Sequence, residues 1–323
     1  MQQCCIKGFL LYLWNSIRQE MRQNNFEVII IGGSYAGLAA AMALGRSLRQ
    51  VLVIDAGEPC NKQTPHSHNF LTQDGKSPRE ISSIARKQAE AYPTVQFTSD
   101  LAVEGNKMEE GFEIKTKKGS IYKSKKLILA TGIKDLLPAI PGLKACWGIS
   151  VIHCPYCHGY EVRNQSTGLL ANGDFGFEFG KMITNWTKDL TLFTNGKSTL
   201  TEEQTSILLS KNINIIESPV KELTHQNGAL KSVKLVNGNA IHLKALYAKP
   251  DFDQNLGIIS SLGCELKQNG FLEVDQFQKT TVAGVYACGD NTNMFRSVAF
   301  AVSSGNMAGA ACNKELIDES YSL

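Results

Sequence analysis

The sequence predicts an α/β protein of two three-layer domains, each started by a βαβ unit. Three observations predict it. A β-branched strand, Val28 to Ile31, runs into a turn of small residues, an alanine-rich helix and a second apolar strand, Val51 to Ile54. The same strand–turn–helix–strand order returns between Thr167 and Thr194. The length of 323 residues exceeds one typical domain and suits two.

Composition bounds the function. Hydrophobic residues are 43% and charged residues 20%, which supports a packed core rather than disorder. A net charge of +3, with no basic run interleaved with aromatics, argues against nucleic acid or a membrane as the main partner. Nine irregularly spaced cysteines in a chain this long are no disulfide scaffold. Most read as buried, reduced packing residues, and the expected location is cytoplasmic. The apolar stretch Ile6 to Trp14 is broken by Lys7 and Gly8. It is too short to span a bilayer and has neither the basic lead nor the cleavage site of a secretory signal. The core pattern begins after Met21, so residues 1–23 read as an N-terminal extension.

The elements follow in order. Val28 to Ile31 is uniformly apolar, as a strand buried on both faces should be. The first helix runs from about Ala36 to Leu48, and the second strand ends at Asp55. Residues 58–78 form a long polar loop carrying His66 and His68, and such loops are often functional. A helix is expected over Pro78 to Tyr92. Phe97 to Tyr122 alternates and carries Gly105, Gly111 and Gly119, which predicts a small antiparallel meander. Lys126 to Thr131 is a buried strand ending in Gly132. Pro138, Pro141 and Gly142 mark one boundary, and Lys249, Pro250 and Asp251 another. Between them lie the second βα pattern, Thr167 to Asn185, the strand Leu190 to Thr194, and further strands over 213–248. The chain closes with GVYACGD, Gly284 to Asp290, and a long helix from about Phe295 to Leu316.

The first turn reads as a dinucleotide site. Such a turn needs glycine for tightness, for backbone approach to a pyrophosphate and for helix–strand packing. Gly32 and Gly37 fill the first and third places, Ser34 the second, and Gly33 and Ala36 complete the turn. Asp55 suits a ribose 2′-hydroxyl and opposes a 2′-phosphate, which favours FAD or NAD over NADP. An ordinary βα turn without ligand is the competing reading. Strand, turn, helix, strand and acidic end together outweigh it.

Cys154-Pro155-Tyr156-Cys157 is a C-x-x-C motif. Two residues between thiols allow a small-ring disulfide at a helix start, where one thiol can fall to a pKa of about 7 or lower. Pro155 stiffens the turn, and His158 can hold or deliver a proton beside a leaving thiol. A zinc site is one alternative, but it wants a full tetrahedral set and no second C-x-x-C exists. His153 and His158 flank the pair too closely to complete it, so no metal is expected. Two buried packing cysteines are the other alternative, against which stands the polar and aromatic setting. Cys60, Cys146, Cys264, Cys288 and Cys312 are isolated and read as structural.

GGSYAG at 32–37, LATG at 129–132, CPYC at 154–157 and GVYACGD at 284–290, taken together, resemble the low-molecular-weight thioredoxin reductases over residues 26–318. The resemblance implies two Rossmann-like nucleotide-binding domains, the second inserted into the first. The FAD domain would span 24–137 and 250–320. A NAD(P)-binding-like domain, 138–249, would carry the cysteines. It implies FAD contacts at Thr131 and Gly132, at Gly289 with Asp290 on the ribityl chain, and at Arg296, Ser297 and Val298 along the isoalloxazine ring. Cys157 would face the flavin and Cys154 would exchange with substrate, in a homodimer. His158 stands where the family carries an aspartate.

The second turn departs from the family. It reads Ala171-Asn172-Gly173-Asp174-Phe175-Gly176, without the first glycine, and the next strand is followed by Asn195, Gly196, Lys197 and Ser198. One lysine replaces the expected arginine pair and cannot act as a bidentate clamp, so NAD(P)H binding is doubtful. With CHGYE at 157–161 and HSHNFLTQDG at 66–75, the chain is similar to flavin-dependent dithiol oxidases that close disulfides in natural products such as gliotoxin and holomycin. That likeness implies a catalytic His158 in a histidine network to which His66 and His68 are candidates. The expected partner is a small-molecule dithiol or disulfide, or a thioredoxin-like protein, with O2 as electron acceptor. A thioredoxin-disulfide reductase fed by NAD(P)H or ferredoxin is the first alternative, and a non-catalytic flavin redox sensor the second.

Overall fold

The structure, a computed structural model, describes residues 24–254 and 256–322. The expected extension over 1–23 lies outside the described residues. Contacts divide the described chain into two compact units. One runs through Pro59, takes Ser82–Ile133, and resumes at Gln254; the other is Cys60–Ile81 with Lys134–Asp253.

The first unit opens with β1 (Asn25–Ile31), α1 (Tyr35–Arg46) and β2 (Val51–Asp55). After α2 (Pro78–Glu90) come β3 (Val95–Ser99), β4 (Ala102–Lys107), β5 (Phe112–Thr116) and β6 (Ile121–Leu129). The second unit then supplies β7 (Lys134–Leu136), α3 (Leu143–Cys146), β8 (Val151–Ile152) and α4 (Pro155–His158). It continues with β9 (Thr167–Leu170), α5 (Gly173–Ile183), β10 (Leu190–Phe193), α6 (Glu202–Ser210) and β11 (Asn214–Ile216). Its last strands are β12 (Val220–Gln226), β13 (Ala229–Leu235), β14 (Ala240–His242), β15 (Ala245–Ala248) and β16 (Asp251–Asp253). The first unit closes with α7 (Leu256–Leu262), β17 (Val285–Ala287) and α8 (Val298–Tyr321).

In the first unit the strands run β3-β2-β1-β6-β5-β4, with β17 also on β6. β1 is central and parallel to both neighbours, Val28 facing Val51 on one side and Lys126 on the other. That position explains its unbroken apolar run. The core gathers Ile29, Ile31, Ile54, Leu127 and Leu129 with Ile258 and Ile259 of α7. The expected meander is β4-β5-β6, antiparallel throughout. Phe97 is not part of it: it lies in β3, parallel to β2. A half-buried parallel edge strand alternates in sequence just as a hairpin strand does, so periodicity alone joined them. β6 is longer than its sequence pattern suggested. Its first half pairs with β5 and its second half with β17, so only the second half is apolar on both faces. Its charged Lys126 is nearly fully buried and paired with Glu315, at 2.5 Å, and Glu319 of α8.

The second unit holds a five-stranded parallel sheet, β11-β10-β9-β15-β8, and an antiparallel three-stranded sheet, β12-β13-β14. β7 and β16 form a short ladder of their own. The polar loop carrying His66 and His68 belongs to this unit, as do the cysteines. Among the described residues no helix is long and apolar enough to cross a membrane.

Candidate active site

In the first unit the βα turn is shaped by backbone contact. Gly32 has a φ of +106°, and a Cβ there would overlap the carbonyl oxygen of Ala130. A Cβ on Gly37 would overlap the carbonyl oxygen of Gly32. Only glycine meets both demands. Asp55 at the end of β2 accepts the Gly33 N–H at 3.0 Å through one oxygen. Ser34 is the N-cap of α1, yet its side chain makes no capping bond and the first turn of α1 has no acidic residue. No N-cap side chain therefore competes with an outside acceptor at this helix start.

The late segment of the unit comes up beside that turn. A Cβ on Gly289 would stand 2.9 Å from the Ala36 side chain. Asp290 and Arg296 approach at 3.8 Å. Ser297 caps α8 by accepting the Phe300 N–H at 3.1 Å, and Val298 begins the helix. Asn291, fully buried, donates to the Leu129 carbonyl at 2.9 Å and to Thr131 Oγ1 at 3.1 Å. Its own Oδ1 has no partner among the described residues. Gly132 lies next to Thr131, with open space where a Cβ would stand. A turn closed by Gly32 and Gly37 at a helix start without a side-chain cap, with Asp55 beside it, fits the diphosphate and ribose of FAD. Sequence reading missed Asn291, although it directly follows Gly289 and Asp290.

In the second unit Cys154 and Cys157 form a disulfide with a Cα–Cα distance of 5.3 Å. Cys154 is the N-cap of α4, accepting the Cys157 N–H on its sulfur at 3.2 Å, with Pro155 in the first helical turn. Tyr156 stands out from the bridge, 65% exposed, edge-on to Trp186 at 5.4 Å. Both ring nitrogens of His158 are shielded from solvent and lack a partner among the described residues. Burial lowers the pKa of this imidazole below its ordinary value. The charge of His68 lowers it further, while Glu161 opposes the shift.

His68 is held between two carboxylates, Nε2 3.6 Å from Glu161 and Nδ1 3.6 Å from Asp74. His66 donates from Nδ1 to the Gly75 carbonyl at 2.9 Å and lies 6.4 Å from the His68 ring. The polar loop thus brings His68 within electrostatic reach of His158, which spacing in the sequence did not reveal. Glu161 and Asp74 lie inside the CHGYE and HSHNFLTQDG segments, but sequence reading gave neither a role because their approach to His68 is set by the fold.

The second βα turn, also in this unit, is occupied by its own chain. Asn172 Oδ1 accepts from the Gly173 N–H and the Thr199 N–H, each at 2.8 Å, and from the Thr199 hydroxyl at 3.2 Å. Its Nδ2 donates to the carbonyls of Lys197, at 2.9 Å, and Thr194, at 3.4 Å.

Comparison with known proteins adds the following. The profile of the pyridine nucleotide-disulphide oxidoreductases matches residues 26–305. Thioredoxin reductase tcpT of Claviceps purpurea is 32% identical over 305 residues, 91% of this chain and 95% of that one. Thioredoxin reductase aclD of Aspergillus oryzae is 32% identical over 308 residues, 90% of this chain and 96% of that one. Among solved structures, an oxidoreductase from Agrobacterium tumefaciens is 36% identical with a TM-score of 0.84, covering 91% of this chain and 99% of its own.

Proposed function

This chain belongs to the pyridine nucleotide-disulphide oxidoreductase family, and from that premise we propose that it oxidises a substrate dithiol at Cys154–Cys157 and passes the two electrons by way of FAD to O2. Membership makes it a thioredoxin reductase-like flavin oxidoreductase acting on disulfides. The observation that carries the exchange chemistry is the disulfide followed directly by a desolvated, unpartnered imidazole.

Bound FAD supplies the two-electron acceptor that the protein side chains lack. A substrate thiolate attacks the sulfur of Cys154; the Cys154–Cys157 bond breaks and Cys157 departs as a thiolate. The second substrate thiolate attacks the substrate sulfur of the mixed disulfide, closing the product disulfide and releasing Cys154. His158, kept neutral near pH 7 by its burial, accepts a proton as the incoming thiol ionises. Glu161 opposes this effect of burial and so limits how far the basicity of His158 falls. Asp55 and the uncapped start of α1 would hold the cofactor's ribose and diphosphate.

The oxidase direction is supported by the loop after β10, where Asn195, Gly196, Lys197 and Ser198 offer one cation to a 2′-phosphate. A second reading, reduction of a thioredoxin-like disulfide with NAD(P)H, is favoured by the names of the fungal relatives. The two are separated by adding NADPH, NADH or a dithiol to the flavoprotein without oxygen and following the flavin absorbance. Bleaching by the dithiol alone, with oxygen uptake on admitting air, is the expected result. Rapid bleaching by NADPH would overturn the oxidase reading.

A further inference from the structure

We propose that Asn172 is a built-in occupant of the second dinucleotide turn, an internal latch standing where a pyridine nucleotide's phosphate would bind. The proposal deepens the oxidase reading and rests on it for its biological sense, while its geometry stands alone.

At the start of a Rossmann helix, phosphate oxygens accept from backbone N–H groups. The Asn172 amide oxygen has taken that role in α5, accepting from the Gly173 and Thr199 amides and the Thr199 hydroxyl. The amide nitrogen holds the carbonyls of Thr194 and Lys197, which draws the loop after β10 across the turn. A nucleotide would have to break all of these bonds before reaching the helix start. Space is short as well: a Cβ on Gly173 would come within 2.9 Å of Thr199 Oγ1. Beside the same loop lies a hollow of about 470 Å³ whose lining includes Ser198, Glu202 and Glu217 and no cation. Its charge opposes a 2′-phosphate. The family's pyridine nucleotide therefore does not fit this turn as built, and the misfit has a removable cause.

The test is calorimetric titration of the FAD-loaded protein with NADH and with NADPH, on the wild type and on Asn172→Gly. The wild type is expected to give no binding heat up to about 1 mM of either nucleotide. Asn172→Gly is expected to bind NADH at least about tenfold more tightly, the scale of one or two freed donors. NADPH should gain less, because the acidic hollow remains. Micromolar binding by the wild type would overturn the latch, and so would a variant that melts like the wild type yet gains nothing. Should Asn172→Gly fail to fold, hydrogen exchange on the wild type decides instead. The Gly173 and Thr199 amides should be protected and indifferent to NADH; new protection on adding NADH would overturn the proposal. Anaerobic bleaching by dithiol, measured alongside, reports on the oxidase reading separately, since Asn172 takes no part in it.

Discussion

The first βα turn, Gly32 to Gly37, and the second, Ala171 to Gly176, each lead a strand into a helix and differ in the residue that caps that helix, Ser34 in one and Asn172 in the other. Ser34 caps α1 without a side-chain bond. Asn172 caps α5 and bonds a loop more than twenty residues away as well. Topology creates unpaired donors at every helix start. Whether they remain available to a ligand is decided by one side chain, long enough to turn back on them or not. The same contrast appears at the third place. Gly37 is pressed against the Gly32 carbonyl, whereas a Cβ on Gly176 would meet only ordinary contacts at 3.4 Å and beyond.

The largest effect should come from removing the sulfurs, which lie in the latched unit. Cys154→Ser with Cys157→Ser should cut dithiol oxidation by at least about a thousandfold and leave a yellow protein with full flavin content. Loss of colour in that variant would break the separation drawn between the two turns. Next comes the matched glycine pair. Gly37→Ala should lose flavin and about 3 kcal/mol or more of stability through overlap with backbone. Gly176→Ala should stay within about 1 kcal/mol of wild type, because alanine favours the helix. Equal losses in denaturant melts would erase the contrast. Gly173→Ala, at a φ of +56°, should cost about 1–2 kcal/mol with flavin content unchanged.

The smallest effect concerns pH. The folded-state pKa of His158 is depressed, chiefly by burial, below the 6.5 of a free imidazole. As pH falls below 6.5 the unfolded chain takes up a proton that the folded chain refuses. The contribution to stability is thus complete above 6.5 and lost as pH falls toward the folded pKa. Activity should follow the same sign, with the acid limb of dithiol turnover below 6.5. Glu161 holds the pKa up, so Glu161→Gln should move that limb lower still. A limb above 6.5 in the wild type, read from a pH–rate profile, would contradict the burial of this ring.

Much of the frame was legible along the chain. The β1–α1–β2 unit, the C-x-x-C pair and the terminal strand and helix are spelled by neighbours: apolar runs, small residues at the turn, thiols at fixed spacing. Asn172 was legible only as part of a turn lacking its first glycine; its grip on Thr194, Lys197 and Thr199 was not. Lys126 stood at the start of a strand expected to be buried, with no partner for its charge visible nearby in the sequence. It is buried because Glu315 and Glu319 arrive from α8, nearly two hundred residues later. Burial raises the Glu315 carboxyl, but hydrogen bonds from Lys126, Lys279 and Tyr286 outweigh it and pull the pKa down to about 2.

The sequence alone determined the β1–α1–β2 unit, the terminal strand and helix, and where thiol chemistry resides, because backbone propensity and hydrophobic period act over a few residues. Tertiary structure alone decided that His68 stands between Asp74 and Glu161, that Asn291 joins Leu129 to Thr131, and that one helix start lacks a side-chain cap while the other is latched. Hydrogen bonds and desolvation depend on which distant side chains come within about 3 Å of one another, and that distance is set only when the whole chain has packed.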